Sequence, residues 1–400
     1  MENMKKLIAV VLVACLLGGC AANIPAVTTT QKPTTVPTTT QQTVPTTTTQ
    51  QVPPTTTQQI VPTTTVTEPP VTTAPPTEPT TEPTQPTTVP TGPGTFTLSF
   101  AGDCTLGDNY CDDDVWGTYK KVVGDNYEYP LSNVKHIFEN DDFTLVNLEV
   151  ALTDSDPTEE EMEELINHRF RFRGPKEYTQ ILTSGGVEFA SCANNHSRDY
   201  GQAGLLDTWD ALDEAGLYYA SFGKTCIATT ESGLKIGIMA IFFEFLPASV
   251  EMICKNLRAQ GAEIIIMSIH WGDEGTYLPI EHQVELGHWA IDAGVDIVYG
   301  HHSHTLMPIE TYNGGIIYYS LANFTFGGNR NPVDKDTAII QQQIIRDEEG
   351  NISLGETTVI PCRVSTKDSW NDFCPTPYEP GTHEYERAMA KIEGSWDGTP

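Results

Sequence analysis

Three histidines crowd into the four positions His301-His302-Ser303-His304, directly after the strand-like run Asp296-Ile-Val-Tyr-Gly300. Imidazole is the commonest metal ligand near neutral pH, and turns at strand ends are where α/β scaffolds display their chemistry. A lone histidine would more often be an ordinary satisfied imidazole; three in one strand-end turn point to a metal or catalytic site. Other strand-like runs end in the same way. Thr95 to Ala101 alternates and runs into Gly102-Asp103, and Phe143 to Glu149 places Asn147 and Glu149 on one side of a strand by the period-two rule. Val187 to Ala193 stops at Asn194-Asn195-His196, and Glu263 to Ile269 stops at His270-Trp271-Gly272, with Asp273 and Glu274 close behind. Ile316 to Phe326 carries Asn323 towards a glycine pair. Carboxylates, amide oxygens and imidazoles arriving together at strand ends suit a hard or borderline divalent cation.

The elements that must position these groups follow an α/β pattern. Lys235 to Ile241 and Glu263 to Ile269 are apolar runs of the kind buried on both faces by helices. Helices are predicted over Leu131–Glu139, Lys176–Ser184, from Gly201 to about Ala215, and over Ile280–Ala293. Thr337–Arg346 and Asn351–Pro361 read as antiparallel strands, and the end after about Cys374 as peripheral. His282 and His288, inside a helical pattern without ligand spacing, read as structural.

The N-terminus is a different kind of sequence. Lys5 and Lys6 precede an apolar run, Leu7 to Leu17, too short for a comfortable membrane span, and Leu17-Gly18-Gly19-Cys20 follows. This is a secretory signal whose end resembles the bacterial lipobox, which implies cleavage before Cys20 and a lipid on its sulfur. The mature chain is then expected on the extracytoplasmic side of the cell membrane, held by that lipid. Residues 21–94 are almost wholly Thr, Pro, Gln and Val, which cannot bury a core, so a disordered stalk is expected there. The predicted organisation is a leader over 1–20, the stalk over 21–94, a folded domain over 95–365 and a peripheral tail over 366–400.

Fifty-three acidic against 22 basic residues leave a formal net charge of -31, and the stalk holds few of either. Such a surface excludes a nucleic-acid partner, which would need a basic face. The only dense basic run is His168-Arg-Phe-Arg-Phe-Arg173, either a solvated strand face or a clamp in which Arg173 holds an anion. Asn323 is a second candidate for substrate binding. The cysteines outside the leader are scattered and form no disulfide framework; Cys104 with Cys111, or Cys362 with Cys374, have only weak spacing support.

Taken in order, Gly102-Asp103, Asn147-Leu-Glu149, Asn194-Asn-His-Ser-Arg-Asp-Tyr-Gly201, His270-Trp-Gly272, Gly300-His-His-Ser-His304 and Tyr319-Ser-Leu-Ala-Asn-Phe324 resemble the CapA family of capsule-synthesis proteins, named for poly-γ-glutamate. The resemblance runs from about Phe96 to Val364. It implies a branch of the calcineurin-like metallophosphoesterases, with a four-layer α/β/β/α sandwich, and one or two divalent ions (Mn, Zn or Fe). By the same resemblance Asp103, Glu149, Asn195, His270, His301 and His304 are metal ligands, while His196 is the acid beside them and shares the catalytic motif with Asn195. The sequence departs from the phosphoesterase pattern at Asp103-Cys104-Thr105, which lacks the histidine of Asp-x-His, and at Asn147-Leu-Glu149, where Gly-Asp is usual. His302 competes with His301 for the ligand position. The implied function is a metal-dependent hydrolase or transferase acting on an extracellular anionic polymer, or serving a capsule-synthesis membrane complex. A phosphatase or nucleotidase, and a non-catalytic polymer-gripping component, are the alternatives.

Overall fold

A computed structural model of the chain describes residues 92–111, 116–166 and 168–398. The expected leader with Cys20, and nearly all of the expected stalk, lie outside the described residues. In chain order the strands are β1 (Gly94–Thr105), β2 (Asp108–Asn109), β3 (Phe143–Leu148), β4 (Ala151–Leu152), β5 (Phe172–Gly174), β6 (Phe189–Cys192) and β7 (Tyr218–Ser221). There follow β8 (Cys226–Thr229), β9 (Lys235–Phe242), β10 (Ile264–His270), β11 (Ile297–His301), β12 (Ile309–Tyr312) and β13 (Gly315–Tyr318). The last are β14 (Asn323–Phe326), β15 (Asp336–Arg346), β16 (Ile352–Arg363) and β17 (Thr376–Pro377).

They form two large sheets and one small one. The first has the order β17-β16-β15-β1-β3-β6-β7, with β14 also paired to β1; the second has the order β12-β13-β11-β10-β9-β8; β2-β5-β4 is the third. Apolar side chains decide how the large sheets meet. Leu98, Phe100, Leu145 and Phe189 of the first pack against Ile238, Ile264, Ile266 and Ile297 of the second in one buried core. Alternate residues face outwards: Val146 and Ala190 pack under Ile181 and Leu212, whose helices are Thr179–Gly185 and Gly201–Ala215. On the other side Met239, Met267 and Val298 pack under Leu257 and Leu286, from helices Pro247–Ala259 and Glu281–Asp292. The layers are therefore helix, sheet, sheet, helix, as the resemblance implies. Each such side chain contributes about 1.5–3 kcal/mol when fully buried. Among the described residues no helix is long and apolar enough to cross a membrane.

Several expectations change. The helix predicted over Leu131–Glu139 is helical only over Lys135–Phe138, because Asn133 Nδ2 donates to Thr376 Oγ1 (2.9 Å) and Ser132 Oγ to the Tyr129 carbonyl (2.9 Å), holding the preceding residues in turns. All seven described cysteines are free, including Cys104, Cys111, Cys362 and Cys374. The C-terminal stretch, expected to be peripheral, is built into the fold. Its helix His383–Ile392 presents Arg387 and Lys391 to buried Asp336, which accepts at 2.6 and 2.7 Å from Arg387, at 2.7 Å from Lys391 and at 2.8 Å from the Tyr378 hydroxyl. Burial pushes the Asp336 carboxyl up, but these donors outweigh it and hold it below its ordinary 3.8. Asp336→Ala leaves Lys391, only 3% exposed, with Asp334 (2.7 Å) as its remaining acceptor. A loss of about 1–3 kcal/mol is expected, read by urea unfolding.

A second expectation concerns pH. Glu188 accepts from the Thr144 N–H (2.7 Å) while Asp141 accepts from the Thr144 hydroxyl (2.7 Å). Burial pushes Asp141 up to about 6 and Glu188 up to about 7, and the charge of Asp141 adds to the latter. The folded state therefore binds more protons than the unfolded chain between roughly pH 4 and 7, so stability falls as pH rises through that window. The urea midpoint should be higher at pH 5 than at pH 8, and Glu188→Gln should shrink the difference. An unchanged difference would refute the assignment.

Candidate metal centre

The polar residues gather where strands of both large sheets end. Along β10, Ile264 and Ile266 face the other sheet, so by alternation Ser268 and His270 do too; along β11, Ile297 and Tyr299 bring His301 to the same face. Asn147 follows Phe143 and Leu145 on β3. Asp103 arrives differently. β1 breaks its register with β3 between Phe100 and Asp103, and the Asp103 N–H donates to the Ala322 carbonyl (2.8 Å). A Cβ at Gly102 would stand 2.0 Å from that carbonyl oxygen, so only glycine permits the approach.

Amides then lock the carboxylate. Asn194 Nδ2 donates to Asn147 Oδ1 (3.1 Å), and Asn147 Nδ2 donates to Asp103 Oδ1 (2.8 Å). Asp103 Oδ2 faces His304 Nδ1 at 3.3 Å, and Glu149 Oε1 faces His270 Nε2 at 3.5 Å and His196 Nε2 at 3.9 Å. His304 Nδ1 also donates to Asn323 Oδ1 (2.9 Å). His302 and His304 carry φ of +100° and +57°. Left-handed backbone at residues other than glycine costs about 1–3 kcal/mol each and collects at functional sites.

Four ligand sets result, each with its donor atoms within 4.8 Å of one another: Asp103, His270, His301; Glu149, His270, His302; Asp103, Glu149, His304; and Glu274, His302, His304. Glu149 belongs to two of these sets, one with His270 and His302 and the other with Asp103 and His304. The donor atoms fit a cation. Asp103 Oδ2, both oxygens of Glu149, His270 Nε2, His302 Nδ1 and Asn195 Oδ1 are all buried without a hydrogen-bond partner. Orphaned groups of this kind are expensive in an apolar interior unless something pairs with them.

Electrostatics point the same way. Burial and then the charge of Asp103 push the Glu149 carboxyl well above its ordinary value. Burial also raises Asp103, but hydrogen bonding to His304 and the charges of His304 and His301 bring it below its ordinary value. Burial, helped by the neighbouring imidazoles, pulls His270 well down and His301 to about 4, whereas at His304 the charges of Glu149 and Asp103 overcome burial and push it up to about 9. Buried carboxyls beside His270 and His301, whose imidazoles burial keeps neutral, make a cation-binding environment, and His304 would release its proton on ligating an ion.

His301 and His302 differ in what their nitrogens do. His301 Nε2 lies 2.7 Å from Ser268 Oγ, which donates to Ser191 Oγ (2.7 Å), and His301 Nδ1 lies 3.0 Å from His270 Nδ1. With Ser268 donating onwards, His301 gives its Nε2 proton to Ser268 and accepts at Nδ1 from His270. His270 Nε2 then keeps its lone pair on the Glu149 side; Asn147 Nδ2, at 3.4 Å from His270 Nδ1, is a weaker neighbour. Both nitrogens of His301 are engaged, while His302 keeps a buried Nδ1 free of partners.

Beside the cluster, His196 Nδ1 donates to Asp199 Oδ2 (2.7 Å), which also accepts the Phe172 N–H (2.6 Å). The imidazole packs against Phe172 at a tilt of 45°, with centroids 4.3 Å apart. A cleft of about 470 Å³ opens over His196 and His304, walled by Phe170, Phe172, Phe326 and Tyr277 and bordered by Glu274. Asn323 lines it; Arg173 does not. Arg173 pairs with Asp156 (2.9 Å) and lies over the Tyr200 ring, in a separate cavity of about 740 Å³. Asn195 lines a further cavity with Arg198 and Asp199, and its Oδ1 is buried without a hydrogen-bond partner. Asn194 and Asp199 lie in a motif the sequence shows but carry no role there, and Ser268, inside an apolar run, has no signal of its own.

Residues 97–241 and 244–328 match the family model described as bacterial capsule synthesis protein PGA_cap. The chain is 30% identical over 302 residues to the PGA biosynthesis protein CapA of Bacillus subtilis (strain 168), covering 68% of this chain and 74% of that one. It is 27% identical over 279 residues to the capsule biosynthesis protein CapA of Bacillus anthracis, covering 62% of this chain and 64% of that one, so it spans less than two thirds of that relative's length. Haemophilus influenzae NAD nucleotidase is a distant structural likeness, with 12% identity and a TM-score of 0.38 over 76% of this chain and 56% of that one, too weak to bear on the fold. With more than half of its length matched by the family model, the chain belongs to the bacterial capsule synthesis family PGA_cap.

Proposed function

We propose that this chain is a metal-dependent hydrolase or transferase that serves the synthesis, export or anchoring of a surface polymer, poly-γ-glutamate or a related capsule component. The observation that carries the reading is the convergence of buried, unpartnered ligand atoms on Glu149 from both sheets. Family membership and the names of the Bacillus relatives support the polymer. The N-terminal leader and Cys20 support a lipid-anchored, extracytoplasmic protein working beside a membrane complex.

In this reading Asp103, Glu149 and His304 would hold one divalent ion, Glu149, His270 and His302 would hold a second, and the unpartnered Oδ1 of Asn195 would be a further amide ligand. His302 takes the position for which His301 also competes, because both nitrogens of His301 are spent on His270 and Ser268. A bound ion of this kind polarises a carbonyl or phosphoryl oxygen and makes water acidic enough to attack at neutral pH. The chain's own part is to orient and to move a proton. Asp199 holds the Nδ1 proton of His196, so Nε2 is the atom that exchanges a proton with the leaving group. Phe172 supports the ring, and the Asn194 to Asn147 chain keeps Asp103 in place. This oriented His196–Asp199 pair favours catalysis over a merely polymer-gripping role.

The test is chelator-sensitive turnover by purified protein loaded with manganese or zinc, offered γ-glutamyl polymer and, separately, a generic aryl phosphate. Cleavage or transfer of the polymer is expected. Turnover of the aryl phosphate alone would favour the phosphatase alternative. A metal-loaded protein that turns over neither, yet binds the polymer, would sink the catalytic reading.

A further inference from the structure

We infer that Glu274 is an additional metal ligand of this chain, grouped with His302 and His304 on the cleft side of the ion position that His304 shares with Asp103 and Glu149. The inference rests on the metal-dependent reading above and deepens it.

The first strand leaves that position one donor short. Where Asp-x-His would supply a histidine, Thr105 is buried and its hydroxyl donates to the Glu149 carbonyl (3.1 Å), so it is spent on backbone. Cys104 between them is buried with its thiol turned to the Gly102 carbonyl (3.7 Å). Asp103 is thus the sole ligand from β1, and three protein donors leave open coordination sites on any divalent ion.

Glu274 is held where it can fill one. The loop after β10 begins at Trp271, whose N–H donates to the His301 carbonyl (3.1 Å) and whose indole donates to the Tyr319 carbonyl (3.0 Å). Just beyond Glu274, the Gly275 N–H donates to the Ser303 carbonyl (2.8 Å), and the Thr305 hydroxyl donates to the Thr276 carbonyl. The loop is therefore stapled to the histidine turn on both sides of Glu274. A carboxylate oxygen of Glu274 lies within 4.8 Å of donor nitrogens of His302 and His304. Among the described residues that carboxylate takes no hydrogen bond or ion pair. The independent sign of a ligand in this cluster is that Asp103 Oδ2 and both oxygens of Glu149, residues 0% exposed, are buried without a hydrogen-bond partner. Because Glu274 is exposed and lines the cleft, it is also the ligand that an incoming substrate oxygen can displace.

Equilibrium dialysis of the full chain against manganese or zinc tests this with four proteins: wild type, Glu274→Ala, Asp273→Asn and Glu149→Ala. Asp273→Asn removes the same unit of charge one residue away. Glu274→Ala should weaken one of two bound ions by at least about 10–100-fold, the loss that even supporting residues of metal sites incur, while Asp273→Asn leaves both unchanged. Equal affinity in Glu274→Ala and wild type, with Glu149→Ala stripped of metal, would overturn the Glu274 assignment and leave the metal reading intact. An equal loss in Asp273→Asn would also overturn it, since the effect would then be one of field rather than ligation. A wild type that binds no metal would overturn both.

Discussion

Glu149→Gln is expected to make the metal-free protein more stable and the metal-loaded protein less so. In the metal-free state Glu149 is buried without a hydrogen-bond partner for either oxygen, and burial together with Asp103 pushes its carboxyl well above the ordinary value. A folded-state value raised in this way means that ionised Glu149 destabilises the fold above its unfolded value, and replacing it with a neutral amide removes that burden. With metal the sign reverses. An ion at 100 times its dissociation constant adds about 2.7 kcal/mol to the stability of a protein that binds it, and Glu149 is the residue common to both proposed ion positions. Thermal unfolding with and without manganese should therefore show Glu149→Gln melting above wild type in chelator and below it in metal. Metal content should fall from two ions towards none. A variant that melts below wild type in both conditions would mean that Glu149 is structural.

His196→Ala is expected to lower kcat by about 10²–10⁴-fold while leaving metal content unchanged. The imidazole reaches only to within 3.9 Å of Glu149 Oε1 and belongs to none of the ligand sets, so its removal should not release the ions. Asp199→Asn should reproduce part of the loss. An amide can hold the Nδ1 proton through its oxygen but can equally offer N–H, which selects the wrong tautomer and turns the donating nitrogen away from substrate. Loss of metal in His196→Ala would make it a ligand, and unchanged kcat would remove it from the chemistry.

Much of this site is legible in the order of residues alone, because its ligands end apolar runs. His270 after Glu263 to Ile269 and Asn147 in Phe143 to Glu149 are visible as polar residues breaking an apolar pattern, and the period-two rule puts them on one face. The layer order is not legible in this way: the apolar runs Lys235 to Ile241 and Glu263 to Ile269 read as covered by helices on both faces, whereas one face packs on the other sheet, as only the family resemblance implies. The choice between His301 and His302 is not legible. Adjacent strand residues face opposite ways, but the φ of +100° at His302 cancels that rule, and no sequence spacing reports it. Asp103, expected past the end of its strand, sits within β1, delivered by a register break that depends on Ala322, far along the chain. The C-terminal helix reads as peripheral because its composition is charged; its burial is decided by Asp336, which lies 55 residues before Lys391. Arg173 stands out by local charge, yet its partner Asp156 comes from a different segment. For Asp103, the C-terminal helix and Arg173 the deciding contact is non-local, whereas at His302 it is a local backbone conformation.

The most direct test of the central claim is anomalous diffraction from crystals grown with manganese or zinc, with data collected on either side of the metal's absorption edge. Two anomalous peaks flanking the Glu149 carboxylate are expected, one beside Asp103 and His304 and the other beside His270 and His302. A well-ordered Glu149 with no anomalous density near it in metal-soaked crystals, or ions bound only at surface carboxylates, would contradict the claim that this cluster is a metal centre.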